Sequence, residues 1–308
     1  MIKKIAAGLL LILGMASLTG CGSFVTTGCN GQVYDSGTSY FNSGSYSYED
    51  SGFNTGDGKV TDEIKKLNID WISGGVNISY HSSDDISLSE ENLSSATTSL
   101  DDNLKLRYKV EGDTLQIKFC KSGVIPFNLS KKLNIVLPEG IAFDSVYVNT
   151  VSANFTFDTL ETAKMTMDGV SGEFQGGSLT VSGDVSFDSV SGDFVISDTL
   201  KAANFFSNTT SGDVVLNLAD ISGKVECDAV SGGISFTAAR MCNLDFDAVS
   251  GDVVIVLPSN PSFKLEFDTV SGDADVNVPA LIKDDEYIVG NGDYSFKVDT
   301  VSGDITVR

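Results

Sequence analysis

Apolar and polar residues recur in blocks of about 20 residues through the second half of the chain. Each block carries the sequence Val-Ser-Gly-Asp or a variant of it, and apolar residues alternate with polar ones on both sides, which is the period of a β-strand. Ser-Gly-Asp favours a tight turn, so each block predicts a strand, a corner and a second strand. The repeated serines are Ser152, Ser171, Ser191, Ser211, Ser231, Ser250, Ser271 and Ser302.

Alignment on the serine produces columns of similar residues, and the phenylalanine and valine columns are expected to point inward and form the core. A mostly apolar column four residues before the serine contains Met167, Phe187, Ser207, Cys227, Phe246, Phe267 and Val298. A second apolar column follows the corner and contains Phe174, Phe194, Val214, Ile234, Val253, Ala274 and Ile305. Valine or threonine directly precedes each serine, from Val170 to Val301.

A short repeat with corners at fixed offsets predicts an all-β fold, a β-solenoid in the form of a single-stranded parallel β-helix. Residues 150–308 are predicted to form this solenoid and residues 59–149 a less regular N-terminal β cap region. The longer interval between Ser271 and Ser302 predicts a projecting loop around residues 283–286. The last rung, 301–307, ends the chain, so its open strand edge suggests self-association.

The N-terminus predicts export and lipid anchoring. Lys3 and Lys4 precede a short apolar run over residues 5–16, and Leu18-Thr19-Gly20-Cys21 resembles the lipobox of bacterial lipoproteins. Residues 1–20 are therefore predicted to be a lipoprotein signal peptide, with Cys21 as the lipidation site. Residues 21–58 are rich in Ser, Gly and Tyr and predict a flexible tether. These features place the chain on the outer face of the bacterial cell membrane, or on the outer membrane in a diderm source.

The chain contains 20 Lys and Arg against 42 Asp and Glu, a net charge of -22. Nucleic acid is excluded as a partner because phosphate binding requires a basic surface. Many of the acids fall in two further columns of the repeat. The first contains Asp168, Asp188, Asn208, Asp228, Asp247, Asp268 and Asp299, and the second contains Glu173, Asp193, Asp213, Gly233, Asp252, Asp273 and Asp304.

Stacked carboxylates about 4.8 Å apart repel by about 1 kcal/mol in water and by several times more at a protein surface. Three explanations are open: the carboxylates are solvated, they accept hydrogen bonds from backbone N–H groups at the corners, or cations such as calcium bridge them. The candidate calcium-binding residues are Asp188, Asp193, Asp228, Asp247, Asp252, Asp268 and Asp273. No firm metal site is predicted, because the repeat differs from the Gly-Gly-x-Gly-x-Asp calcium repeat.

Four cysteines remain after Cys21, namely Cys29, Cys120, Cys227 and Cys242. An exported compartment permits disulfides, but the spacing indicates neither a redox motif nor a metal site. Cys227 lies in a core column and is predicted to be a buried free thiol. His81 is the single histidine of the sequence, which excludes a histidine-rich metal site.

Several of these motifs together resemble the bacterial "putative adhesin" family of β-strand-repeat proteins, a domain of unknown function. They are Leu137-Pro138, the stretch from Val146 to Ser152, the serial Val-Ser-Gly-Asp blocks, and the closing residues 300–305. The resemblance spans about residues 60–308. It implies a β-helical envelope protein that contacts a surface, and it transfers no catalytic residue.

The function predicted from these features is a non-catalytic, surface-exposed, membrane-anchored binding module, whose partner is a protein or a cell-surface ligand. One alternative is an envelope-stress or signalling accessory protein that binds a membrane partner. A polysaccharide-active β-helix enzyme is the less favoured alternative. The acids recur at every rung, which is expected of a structural repeat, whereas hydrolysis of a polysaccharide uses one local pair of acids.

Overall fold

The computed structural model describes residues 40–42, 45–94, 99–126, 128–283 and 286–308. All regular elements in this part of the chain are β-strands, which confirms the predicted all-β class. The residues described include no helix long and apolar enough to cross a membrane. The predicted signal peptide, Cys21 and Cys29 lie outside the described residues.

The strands before the serial repeats are β1(Tyr40–Asn42), β2(Ser45–Ser47), β3(Asn54–Thr55), β4(Gly58–Val60), β5(Lys66–His81), β6(Ile86–Asn92), β7(Arg107–Glu111), β8(Thr114–Lys118) and β9(Lys131–Pro138). The repeats then supply β10(Ser145–Thr162), β11(Met165–Gly169), β12(Phe174–Val181), β13(Asp184–Ser189), β14(Phe194–Ala202), β15(Asn204–Ser211), β16(Val214–Ile221), β17(Lys224–Ser231) and β18(Ile234–Ala238). The C-terminal strands are β19(Asn243–Ser250), β20(Val253–Val256), β21(Phe263–Ser271), β22(Ala274–Val276), β23(Leu281–Lys283), β24(Glu286–Val289), β25(Tyr294–Ser302) and β26(Ile305–Val307).

Each repeat forms one layer of a two-faced solenoid. The strand before the Ser-Gly corner joins a parallel sheet, here called face A, and the strand after the corner joins a second one, face B. On face A, β11, β13, β15, β17 and β19 pair in that order, and on face B, β12, β14, β16, β18 and β20 do the same. The long strand β10 passes through the corner and belongs to both faces. The predicted β-solenoid is therefore confirmed.

The core lies between the two faces and is built from the predicted columns. Phe187 and Phe246 of the column before the corner are fully buried, as are Phe174 and Phe194 of the column after it. Aromatic rings interleave from the two faces, with centroids 5.3 Å apart for Phe174 and Phe187 and 5.2 Å apart for Phe187 and Phe194. Burial of side chains of this size contributes roughly 1.5–3 kcal/mol each.

The valine column next to the serine differs from the expectation. Val170, Val190 and Val249 are half-buried, and Val270 is 69% exposed. Strand alternation explains this, because the residue three positions before each valine points inward and the valine therefore points outward. These side chains line the outer surface of face A rather than the core.

The N-terminal end of the solenoid is covered. Strands β8 and β9 form the outermost layer, and β5 lies between them and β10. Strands β7 and β6 then pair antiparallel with β8 and β9 and cover that layer. The segment predicted as a cap thus contributes two solenoid layers together with the strands that close them. Its outermost apolar residues, such as Ile117 and Ile135, are fully buried.

The C-terminal layers are stacked out of sequence order. Strand β25 lies between β19 and β21, and β26 lies between β20 and β22. The prediction of an open edge at residues 301–307 is therefore wrong, because that rung has a neighbour on each side. The outermost layer is instead formed by β21 and β22.

The predicted projecting loop also takes another form. Strands β23 and β24 pair antiparallel with each other, and β24 pairs antiparallel with Phe263–Glu266 of β21. The extra residues between Ser271 and Ser302 therefore cover part of the C-terminal end, because that end would otherwise leave the first half of β21 unpaired.

The described part of the segment predicted as a tether packs against the solenoid. The Tyr46 side chain is 1% exposed, and the Tyr46 carbonyl accepts a hydrogen bond of 2.6 Å from the N–H of Gly123. The Tyr48 hydroxyl donates to the carbonyl of Cys120 over 2.8 Å. Residues 45–58 are thus packed on the N-terminal end, since their tyrosines provide apolar surface to bury and hydroxyls to pair.

Close backbone approach at the corners explains why the repeat keeps its glycine. A Cβ atom on Gly212 would lie 2.2 Å from the carbonyl oxygen of Gly192, and one on Gly232 would lie 2.1 Å from that of Gly212. The same contact continues through the reordered layers, from Gly303 onto Gly251 at 2.2 Å and from Gly272 onto Gly303 at 2.1 Å. A side chain on any of these glycines would therefore collide with the backbone of the neighbouring corner.

Replacement of one corner glycine is expected to destabilise the fold by about 2–3 kcal/mol. In Gly212→Ala the new methyl group meets a fixed backbone carbonyl, whereas in Gly233→Ala it meets its nearest atom, the carbonyl oxygen of Asp252, at an ordinary 3.5 Å. We expect denaturant unfolding to show a lower midpoint for Gly212→Ala and an unchanged or slightly raised one for Gly233→Ala. Equal midpoints for the two variants would contradict the close-approach explanation.

Candidate functional surface

The candidate calcium-binding residues occupy two separate columns on the outside of the solenoid. Asp188, Asp228, Asp247 and Asp268 project from face A, whereas Asp193, Asp252 and Asp273 lie at the corner. Within the described ranges, no group of three or more His, Cys, Asp or Glu side chains is arranged to hold a metal ion.

The corner carboxylates accept hydrogen bonds from the backbone of the next layer. Asp193 Oδ1 accepts from the N–H of Asp213 at 2.8 Å, and Asp213 Oδ1 accepts from the N–H of Gly233 at 2.7 Å. The pattern crosses the reordered layers, because Asp252 Oδ1 accepts from Asp304 at 3.0 Å and Asp304 Oδ1 accepts from Asp273 at 2.9 Å. These contacts are those of the predicted turn-capping role, in which the carboxylate satisfies a backbone donor.

The variant corner at residues 153 and 154 keeps its register, with Ala153 buried at the position that glycine occupies in the other corners. Ala153 and Asn154 stay in register with Gly74 and Gly75 of the preceding layer. Asn154 Oδ1 accepts a hydrogen bond of 3.1 Å from the N–H of Glu173. An amide oxygen therefore replaces the carboxylate oxygen at this corner without loss of the cap.

The face A column forms a continuous polar ladder along the solenoid, called here the acidic ladder. Its members follow one another in register from the N-terminal end to the C-terminal end as Asp70, Asn149, Asp168, Asp188, Asn208, Asp228, Asp247, Asp299 and Asp268. Carboxylates stacked in this way must be neutralised, hydrogen-bonded or protonated.

The N-terminal part of the acidic ladder is neutralised by side chains. Lys118 and Asp70 form a buried ion pair. Asn149 Nδ2 donates to Asp70 Oδ1 at 3.0 Å, and the Tyr147 hydroxyl donates to Asp168 Oδ2 at 2.9 Å. Each carboxylate here has a donor within its own or an adjacent layer, so the repulsion is offset locally.

Asparagine separates the carboxylates in the middle of the acidic ladder. Asn208 lies between Asp188 and Asp228, and its Nδ2 donates to Asp188 Oδ1 at 2.8 Å. Burial raises the pKa of Asp188, and this hydrogen bond partly opposes the rise. The asparagine thus supplies a donor where a further aspartate would supply a charge.

The C-terminal part of the acidic ladder concentrates negative charge. Asp228, Asp247, Asp299 and Asp268 follow one another in register. Lys297, which the reordered strand β25 carries, lies among them. Its Nζ is 2.7 Å from Asp299 Oδ2 and 3.8 Å from Asp247 Oδ1.

Two further acids, Glu226 and Asp245, face the same place from the neighbouring column. Lys224 pairs with Glu226, and Lys297 Nζ lies 3.7 Å from Asp245 Oδ1. Burial is the main cause that raises the pKa of Asp228 to about 7, followed by the charge of Asp247 and then that of Glu226. Burial also raises the pKa of Asp247, although Lys297 opposes this rise.

Sequence reasoning found the aspartate columns and missed the cations and the hydroxyl that partner them. The residues concerned do not recur at a fixed position of the repeat, so the aligned columns do not reveal them; they are Lys118, Tyr147 and Lys297. Lys297 does lie two residues before Asp299, on the same face of a strand, which is the one local signal that could have found it.

The three cysteines in the described ranges are free. Cys120, Cys227 and Cys242 are buried without a disulfide. Cys227 lies in the core column as predicted, and burial raises the pKa of its thiol to about 12. A thiol held neutral in this way packs as a small apolar side chain.

Replacement of Asp228 by the uncharged asparagine is expected to stabilise the protein by an amount that depends on pH. The unfolded chain releases this proton near pH 4, whereas the folded protein holds it to about pH 7. Protonation of Asp228 therefore adds its full contribution to the free energy of unfolding below about pH 4, and this contribution is lost as the pH rises to about 7. We expect Asp228→Asn to gain about 1–2 kcal/mol at pH 8, reduced by solvent screening, and little at pH 4.

Chemical denaturation at pH 4, 6 and 8 measures this effect. Asp198→Asn, which removes an exposed carboxylate from face B, serves as the matched control. A gain for Asp228→Asn that is the same at all three pH values would contradict the protonation of the acidic ladder.

The family model described as Toastrack DUF4097 matches residues 54–308. No curated protein matches the chain.

Three solved structures show partial similarity. A "putative adhesin" from Bacteroides fragilis shares 16% identity, covers 84% of this chain and 98% of its own, and has a TM-score of 0.48. A "putative lipid binding protein" from Parabacteroides distasonis shares 15% identity with 84% and 97% coverage and a TM-score of 0.44. A "putative cell adhesion protein" from Clostridium sporogenes shares 13% identity with 82% and 99% coverage and a TM-score of 0.23.

The family match spans the N-terminal covering strands and all the Ser-Gly corners, so it includes both ends of the solenoid. The recognition made from the repeat motifs is confirmed. The chain belongs to the Toastrack DUF4097 family of β-strand-repeat proteins.

Proposed function

We propose that this protein is a non-catalytic binding module that a lipid on Cys21 holds on the outer face of the bacterial cell membrane. In a diderm source that membrane is the outer membrane. The observation that carries the proposal is that the two ends of the solenoid differ. The N-terminal segment attaches to one end, and the acidic, partly uncovered β21–β22 layer forms the other.

The junction with the N-terminal segment is at the covered end. The backbone of Tyr46 bonds to Gly123 and Val124, in the loop between β8 and β9 of the outermost N-terminal layer. Layers about 4.8 Å apart put the β21–β22 layer about 40 Å from this junction. A chain anchored through Cys21 would therefore carry its C-terminal end away from the lipid.

The use of the corner carboxylates supports a binding role over glycoside hydrolysis. That reaction uses two acids placed at one locus with different protonation states. Here Asp193, Asp213 and Asp252 each accept from a backbone N–H in the same way, layer after layer. A repeated outer surface of this kind offers many equivalent contacts to a partner, as solenoids generally do.

Lipid attachment at Cys21 is tested by expression of the full-length chain in a bacterial host with an alkyne fatty acid. We expect the wild-type protein to incorporate the label and to sediment with the membrane fraction. We expect Cys21→Ala to lose more than about nine-tenths of both signals, because the thiol is the acceptor.

Cys29→Ala is the matched control, since it removes a nearby cysteine of the same N-terminal segment. It should keep the label and the membrane association. Labelling of Cys21→Ala at the wild-type level, or release of the wild-type protein into the soluble fraction, would overturn the anchoring proposal.

A further inference from the structure

We propose that the open strand edge at the C-terminal end, residues 267–276, binds an extended and positively charged polypeptide segment by strand addition. The segment would run alongside β21 and β22 and extend both faces by one layer. This inference rests on the proposed binding role and specifies the chemistry of the partner.

The edge is open over a defined stretch. Strand β22 pairs with β26 on its inner side, and β24 covers β21 only from Phe263 to Glu266. In the described part of the chain, no strand pairs with the outer side of residues 267–276. Such an edge presents unpaired N–H and C=O groups to another chain.

The direction of the backbone groups in β22 identifies the free donors. Asp273 O accepts from the N–H of Ile305, and Asn277 N–H donates to Val307 O, so both residues face β26. Because the N–H and C=O of one residue point to the same side of a strand and successive residues alternate sides, the N–H groups of Ala274 and Val276 point outward. These two groups are available to an added strand.

Apolar side chains at this end are incompletely covered. Phe267, Ala274 and Val276 are partly exposed, whereas their counterparts one layer inward, Val298, Ile305 and Val307, are fully buried. Val270 is 69% exposed on the outer surface beside them. An added strand with inward apolar residues would complete the last core layer as the inner layers do.

The negative charge of the edge favours a basic segment over a second copy of this chain as the partner. Residues 265–280 contain Glu266, Asp268, Asp273 and Asp275 and no lysine, arginine or histidine. A second copy of this edge would place these acids against one another, at a cost of about 1 kcal/mol or more for each close pair. A segment that alternates apolar and basic residues would instead set lysine or arginine beside them.

At the opposite end of the solenoid, both strands of the outermost layer are covered by antiparallel strands. Strands β6 and β7 cover β9 and β8 there, and Lys131 is fully buried beneath them. Its Nζ pairs with Glu90 and donates to the carbonyl of Leu104 at 2.7 Å. The two ends are therefore built differently: in the described residues both strands of the N-terminal layer have a covering strand, whereas β22 of the C-terminal layer has none.

The test uses the full-length protein, purified in mild detergent, and two fluorescent peptides of about ten residues with Ser-Gly at the centre, so that each can follow the corner at Gly272. One peptide alternates lysine and valine on both sides of the Ser-Gly, and the other alternates glutamate and valine. We expect the lysine peptide to bind at least about ten times more tightly than the glutamate peptide, and to weaken as salt is raised. We also expect its binding to slow hydrogen exchange at the N–H groups of Ala274 and Val276.

Two variants locate the binding. Val276→Pro removes one outward N–H while the bonds to β26 remain, and Asp273→Asn with Asp275→Asn removes two charges. Each should weaken binding of the lysine peptide about tenfold or more with an unchanged melting temperature. The control pair, Glu161→Gln with Asp198→Asn, removes two exposed acids elsewhere and should bind like the wild type.

Three outcomes would overturn the inference. Equal binding of both peptides would show apolar adhesion without charge selection. Binding of neither would show that the acids only keep the edge unpaired, and protection of Ala274 and Val276 by dimer formation would assign the edge to a second copy. Lipid labelling of Cys21 is measured independently, so failure here leaves the anchoring proposal intact.

Discussion

The contact between successive corner backbones is the constraint on which this solenoid depends. With a hypothetical Cβ only 2.0–2.2 Å from the carbonyl oxygen of the neighbouring corner, positions such as Gly192, Gly212 and Gly251 have no room for a side chain. Corners that approach this closely fix the register of the strands on both sides. The glycine of the Ser-Gly-Asp repeat thus recurs because stacked corners leave no room for a larger residue. The adjoining aspartate accepts a hydrogen bond from a backbone N–H that the corner would otherwise leave unpaired.

A fixed register has an electrostatic consequence. Residues at the same position of each repeat are brought together, so one outward aspartate per repeat becomes a ladder of carboxylates. The protein meets the repulsion in three ways along its length: with the cation of Lys118, with the amides of Asn149 and Asn208, and with the raised pKa of Asp228. Toward the C-terminal end four carboxylates follow one another in register, and Lys297 lies among them.

The repeat predicted most of the fold, because the columns that define the core are local in sequence. Phe187, Phe246 and Ile305 are buried where the alternation placed them, and Cys227 is a buried free thiol. The outward direction of Val170 also follows from alternation, once the phase of the strand is set by Met167.

The order of the layers could not be read from the repeat. A period gives the contents of each layer but does not say which layers are neighbours, and the insertion of β25 between β19 and β21 depends on long-range pairing. The same holds for β5 between β8 and β10. The partners of the acidic ladder were missed for this reason, since Lys297 meets Asp247 only in the reordered stack.

Cysteine cross-linking of the corner serines tests the reordered, in-register stack most directly. Ser302 lies in register with both Ser250 and Ser271, so Ser302 separates those two serines. In full-length protein, Ser250→Cys with Ser302→Cys and Ser271→Cys with Ser302→Cys should each form a disulfide under mild oxidation. Ser250→Cys with Ser271→Cys should not. Efficient cross-linking of that last pair, with none to position 302, would show layers stacked in sequence order and would contradict the account.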